Sequence, residues 1–206
     1  MAVAVFQQRK RIQFLWFVAP LAVLLTLFSR SAWAQDSLVS DLIRLVGLVL
    51  ILTCIAGRCW ASLYVGRRKN QELVTAGPYA HTRNPLYLFS TIGLAGVGLT
   101  LGSVLLALLL ACLSYAVFTY VIAKEEATLE RFFGSEYRHY RESVPQFFPR
   151  LSGSNASTDS SVVEFYPTAL KRTAIDASYF LLAVPAAELV DWLQQAEIIR
   201  PIIALY

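Results

Sequence analysis

Two polar clusters stand at the two ends of one long apolar block. The first, residues 72–87, reads ELVTAGPYAHTRNPLY, and the second is Lys124-Glu125-Glu126. Gly77-Pro78 makes a turn whose backbone groups stay open. Tyr79 and Tyr87 offer aromatic faces, which attract cations through the ring quadrupole. Arg83 is a planar fork suited to a carboxylate or a phosphate. Glu125 and Glu126 bring negative charge that can accept two hydroxyls of a ribose or face a cation. Adjacent side chains on a helix point about 100° apart. At most one glutamate therefore faces a ligand squarely, and the other is expected to pair with Arg83 or Arg131. Taken singly, these residues are also ordinary at a membrane surface, where Tyr and Arg anchor span ends and a glutamate pair caps a helix in water.

Their combination is more informative. A ligand carrying an adenosine, a carboxylate and a positive sulfonium matches all of them, and S-adenosyl-L-methionine is such a ligand. The clusters can share it only if the intervening chain folds back. Residues 86–123 form a block of 38 residues without a charged side chain. As one helix it would be about 57 Å long at 1.5 Å per residue, against a hydrocarbon core of about 30 Å. The block is therefore expected to form a hairpin with its turn at Gly102-Ser103 and arms at 86–101 and 104–123. Both polar clusters then lie at the same membrane depth. Gly93, Gly96 and Gly98 in the first arm would admit close approach of a helix or a ligand.

GPYAHTRNPLYL, a fixed-length apolar hairpin, and then EEATLERFFGSEYRHYRESVPQFFP together resemble the isoprenylcysteine carboxyl methyltransferase and phospholipid N-methyltransferase superfamily, in its small bacterial form. The resemblance runs from about residue 73 to 149. It implies a multi-pass helical fold with S-adenosyl-L-methionine bound between the hairpin ends and the tail. Carried over by position, it makes Arg83, Tyr87 and Glu126 catalytic residues. It makes Gly77, Pro78, Tyr79, His81, Asn84, Pro85, Glu125 and Glu126 cofactor-binding residues. Gly96-Val97-Gly98 is similar to the Gly-x-Gly of the phospholipid branch. Asn84 stands where the eukaryotic members have His, and Asn is no base at neutral pH; His81 is the nearest substitute. The implied reaction is methyl transfer to an amphiphilic or lipid-like acceptor that enters from the membrane. Two other readings remain open: a sterol-reductase-like NADPH enzyme, with Arg83, Arg131, Arg138 and Arg141 as a phosphate cradle, and a non-catalytic scaffold.

The rest of the chain supports a membrane setting. Hydrophobic residues make up 56% of the 206 and charged ones 16%, against about 25% charged in soluble domains; the mean hydropathy is +0.53. Basic clusters at 9–11 and 67–69 mark the cytosolic ends of spans. The apolar block at 14–28 reads as a first span, with a cleaved signal peptide as its rival; both place residue 35 outside. Residues 42–64 form the next span, and Arg44 and Arg58 snorkel from near its ends. Cys54, Cys59 and Cys112 lie in apolar segments at spacings that suit neither a disulfide framework nor zinc, so no metal is expected. No basic face suggests nucleic acid; the expected partners are the acceptor and membrane lipids.

Beyond residue 123, Leu129, Phe132 and Phe133 share a helical face, Gly134 reads as a stop, and Tyr137 and Tyr140 continue the face. This predicts two short amphipathic helices at the interface, ended by Pro145 and Pro149. The fold expected is all-α: a multi-pass membrane bundle of four or five spans whose interfacial helices form a cytosolic-face cofactor pocket. Its parts would be spans at 1–70, the methyltransferase core at 71–150, a linker at 151–161 and an extension at 162–206. In that extension, residues 178–193 carry Pro185, Glu188 and Asp191, and suit a fifth span or an interfacial helix equally.

Overall fold

A computed structural model describes residues 29–31, 37–65, 72–150, 166–199 and 203–205. The expected first span at 14–28, the basic clusters at 9–11 and 67–69 and the linker at 151–161 lie outside the described residues.

Helix α1, Leu38–Val65, is 28 residues long, about 42 Å at 1.5 Å per residue. Its buried positions are mostly small: Gly47, Cys54, Gly57, Ala61 and Ser62, with Ile51. Its large apolar side chains, including Leu42, Leu45, Val49 and Leu52, are exposed. Water would punish that inversion. In lipid it is expected, because acyl chains are as apolar as Leu and helices associate through close backbone approach.

After the one-turn helix α2, Pro78–His81, helix α3, Pro85–Thr100, packs along α1 and along helix α4, Val104–Ser143. Pro85 opens α3 at the position where a missing N–H costs nothing. Gly102, at φ +80°, makes the turn, and the Ser103 hydroxyl accepts the Leu106 N–H to cap α4. The hairpin therefore folds where the uncharged block required it. Its glycines serve helices. A Cβ on Gly96 would meet the Gly47 carbonyl of α1 at 2.7 Å, and one on Gly98 would meet the Ala107 backbone of α4 at 2.3 Å.

Helix α4 differs from expectation in one respect. Residues 124–133 do not start a separate helix but continue the second arm, and the axis breaks only at Gly134 (φ 55°, ψ −120°). Nothing in 124–133 interrupts the backbone, since leaving the bilayer changes side-chain polarity and not helix propensity. A helical piece then runs to Ser143, and an irregular strap with several bends follows to Arg150.

The C-terminal extension forms one rod. Helix α5, Pro167–Ser178, a 3-10 turn, Tyr179–Leu182, and helix α6, Ala183–Gln195, follow one another directly. Pro185 cannot donate to the Leu181 carbonyl, which accounts for the tighter turn just before it. The rod runs antiparallel to α1. Phe180 reaches Gly93 beside Cys54, and Asp191 pairs with Arg44 at 2.6 Å. Eleven residues separate Phe180 from Asp191, about 16 Å, and ten separate Cys54 from Arg44, about 15 Å. Arg44 is thus neutralised by a partner in addition to lying near a span end. Beyond the helices, three-residue strands β1, Ser29–Ser31, and β2, Ile203–Leu205, pair in parallel, joining the chain before α1 to the chain after the rod.

Leu38–Val65, Val104–Ser143 and Pro167–Gln195 are each long and apolar enough to cross a membrane. The shorter α3 has 16 residues. The protein is a multi-pass membrane helical bundle.

Candidate active site

The loop at 77–85 is held from two sides. Gly77 sits at φ +62°, and a Cβ there would lie 2.3 Å from the Tyr64 ring at the end of α1. Only glycine supplies both this conformation and this clearance. On the other side the tail runs back along the loop. The Arg83 N–H donates to the Pro145 carbonyl (2.9 Å) and the Arg150 N–H to that of His81 (3.1 Å). Thr82 Oγ1 donates to the Phe147 carbonyl at 3.0 Å, and Asn84 Nδ2 to that of Gln146 at 3.0 Å. The Tyr140 hydroxyl donates to the Tyr79 carbonyl at 2.7 Å. The break at Gly134 makes this possible, because it redirects the helix so that the strap can return.

Arg83 joins loop, tail and hairpin. Its Nη1 donates to the carbonyls of Arg141 (2.5 Å) and Val144 (3.0 Å). Its Nε donates to Glu126 Oε1 at 3.0 Å, with the two side chains 9% and 8% exposed. The glutamate pair thus divides as the helical angle requires, Glu126 inward on Arg83 and Glu125 half-buried beside it. Glu125 lies near enough to Tyr79 for its charge to act on that phenol. The phenol is pushed well above its ordinary range, first by burial and then by Tyr140 and Glu125. Tyr137 and Tyr140, in the helical piece beyond Gly134 and clear of the apolar stretch 104–123, are likewise pushed up mainly by burial. All three remain neutral at physiological pH.

The candidate residues therefore gather, but in two kinds of place. Tyr79, His81, Arg83 and Glu125 are partly accessible around the hairpin mouth. Pro78 and Pro85 are fully buried helix starters, and Asn84 brackets the tail. The Tyr87 ring is 6% exposed. It lies 4.9 Å from Phe118 between ring centroids and packs with Ile122 and Phe147 as the floor of the site. His81 turns Nδ1 toward the Arg150 carbonyl at 3.3 Å. Two residues that sequence reasoning did not single out, Thr82 and Tyr64, shape the site, and so does Tyr137. Thr82 and Tyr64 act on backbone atoms distant in sequence, so no local pattern marks them. Tyr137 was visible as part of an apolar face, and its burial was not.

Three of the four arginines of the phosphate-cradle reading have carboxylate partners. Arg83 is on Glu126, while Arg138 (3.0 Å) and Arg141 (3.5 Å) share Glu130. Among the described residues no three His, Cys, Asp or Glu side chains group as metal ligands would.

Residues 37–136 match the model of the phospholipid methyltransferase family. The chain is 34% identical over 187 residues to the nickel-cobalt-cadmium resistance protein NccN of Alcaligenes xylosoxydans xylosoxydans, covering 89% of this chain and 85% of that protein. It is 32% identical over 201 residues to the cobalt-zinc-cadmium resistance protein CzcN of Cupriavidus metallidurans, covering 97% and 90%. It is 36% identical over 97 residues to the protein-S-isoprenylcysteine O-methyltransferase of Schizosaccharomyces pombe, covering 47% and 41%. No solved structure matches the chain significantly.

Proposed function

Because the chain belongs to the superfamily of phospholipid methyltransferases and isoprenylcysteine carboxyl methyltransferases, we propose that it is an S-adenosylmethionine-dependent membrane methyltransferase whose site opens to the cytosol and whose acceptor is lipid-like. The observation that carries this reading is the meeting of Tyr79, Arg83, Glu125 and Glu126 at the mouth of the hairpin. The donor set suits the cofactor. Glu125 offers a carboxylate to a ribose or a sulfonium, the Tyr79 ring offers a π face, and Arg83 Nη2, which no described group engages, offers a donor to a carboxylate. The cytosolic placement is supported by the basic clusters at 9–11 and 67–69.

When bound, the cofactor supplies an electrophilic methyl group on sulfur. The residues of this chain contribute position and dryness. Tyr87, Phe118 and Phe147 exclude water from the floor, and the Arg83–Glu126 pair fixes the loop against α4. Holding the acceptor in line with the methyl group is the main source of rate. A carboxylate acceptor needs no base. An amine acceptor must lose a proton, and His81, whose Nε2 points away from the Arg150 carbonyl bond, is the first candidate, with Glu125 and Glu126 behind it.

Radiolabelled S-adenosylmethionine titrated against detergent-solubilised protein tests the reading. Binding by the parent, weakened in Glu125→Gln, Glu126→Gln and Arg83→Ala, is the expected result. No binding by the parent, or undiminished binding in all three variants, overturns it. Two relatives are named for cobalt and cadmium resistance. A contribution of methyl transfer to metal tolerance here predicts that cells carrying Glu126→Gln tolerate cobalt less well than cells carrying the parent.

A further inference from the structure

Tyr137 is 1% exposed, yet its hydroxyl has no hydrogen-bond partner. A buried polar group left unpaired loses its hydration without compensation, so native structures rarely keep one. Phe would fill the same space without that cost. The neighbouring Tyr140, whose ring lies 6.2 Å away between centroids, shows the usual arrangement, since its hydroxyl is bonded to the Tyr79 carbonyl at 2.7 Å.

The surroundings of Tyr137 indicate what its hydroxyl is for. It lies close enough to Glu126 to feel the carboxylate charge and to approach it as a donor, and Arg83 and Arg141 act on it as well. Arg83 engages only Oε1 of Glu126. A donor without full hydrogen-bond geometry therefore faces a carboxylate, the two lying on α4 on either side of the break at Gly134.

We propose that Tyr137 is a positioning residue for Glu126: when a ligand hydroxyl or cation draws on the carboxylate, the Tyr137 hydroxyl donates to it and fixes its orientation opposite Arg83. This rests on the proposed cofactor site. In the ligand-free protein the hydroxyl faces Glu126 without full hydrogen-bond geometry, and in the ligand-bound protein it closes to a full bond.

The test is S-adenosylmethionine affinity and thermal unfolding of Tyr137→Phe in detergent. Affinity should fall about 10-fold, the scale of one hydrogen bond to a charged acceptor, while the ligand-free unfolding temperature stays level or rises. In a Glu126→Gln background the same substitution should change affinity less than about twofold, because the two residues act as a unit. Unchanged affinity in Tyr137→Phe overturns the proposal. So does a lowered ligand-free unfolding temperature, which marks a purely structural hydroxyl, or a full 10-fold loss persisting in the Glu126→Gln background. A parent that binds no S-adenosylmethionine removes the cofactor reading itself, and this inference with it.

Discussion

Arg83 Nε meets Glu126 Oε1 at 3.0 Å across 43 residues of sequence, with both side chains nearly out of solvent. Removing one partner strands the other's charge in a poorly hydrated place, which costs about 3–5 kcal/mol. Arg83→Ala should also release the Arg141 and Val144 carbonyls. Both Arg83→Ala and Glu126→Gln should therefore unfold at clearly lower temperature in detergent, and the apolar double replacement Arg83→Met with Glu126→Leu should recover much of the loss. Singles that unfold with the parent would show that the pair does not hold the loop to α4.

Gly77 combines φ +62° with the Tyr64 ring standing where a Cβ would reach. Gly77→Ala should destabilise by about 1–3 kcal/mol from backbone conformation alone, with steric conflict added. Tyr64→Ala in the same protein should relieve the conflict and leave the backbone cost, so the double variant should recover only in part. Full recovery would mean that the conformation costs nothing.

Arg44 and Asp191 join α1 to the rod at 2.6 Å. Arg44→Asp and Asp191→Arg alone each place like charges in contact and should lower the yield of monodisperse protein, while the exchanged pair should restore it. Because the rod is antiparallel to α1 and long enough to cross, reporter fusions after residues 69 and 150 should report the cytosol, and those after 102 and 196 the outside. A cytosolic signal at 196 would lay the rod along the membrane surface; an outside signal at 150 would place the proposed site on the wrong side.

Burial raises the phenol pKa of Tyr79, Tyr137 and Tyr140 above the unfolded value of about 10. Above that pH the unfolded chain loses these protons and the folded chain keeps them, so stability falls as pH rises. It is fully present below about pH 10. Tyrosinate absorbance at pH 11 should lack these three residues in folded protein and gain them on denaturation. Loss of stability on raising pH from 9 to 11 should shrink when the three are changed to Phe. A full tyrosinate signal without unfolding would disprove their burial.

Much of this architecture was legible in the sequence. An uncharged stretch of 38 residues cannot cross a bilayer once, so the hairpin at Gly102-Ser103 followed from length alone. The approach of residues 77–87 to Glu125-Glu126 followed from the hairpin. The divergence of the two glutamates followed from helical geometry. Composition placed the chain in a membrane for the same reason: apolar blocks of span length have no other solvent.

Tertiary structure decided what depends on distant partners. Which glutamate turns inward, and that Arg83 meets it, depends on where the tail's carbonyls lie. The roles of Thr82 and Asn84 as brackets rest on backbone atoms more than 60 residues away, to which no local periodicity refers. Arg44 and Asp191 each looked like an isolated charge in an apolar segment until the rod folded along α1. The approach of the buried Tyr137 hydroxyl to Glu126 is likewise a property of the fold, because the sequence records that a tyrosine is present but not which group it faces.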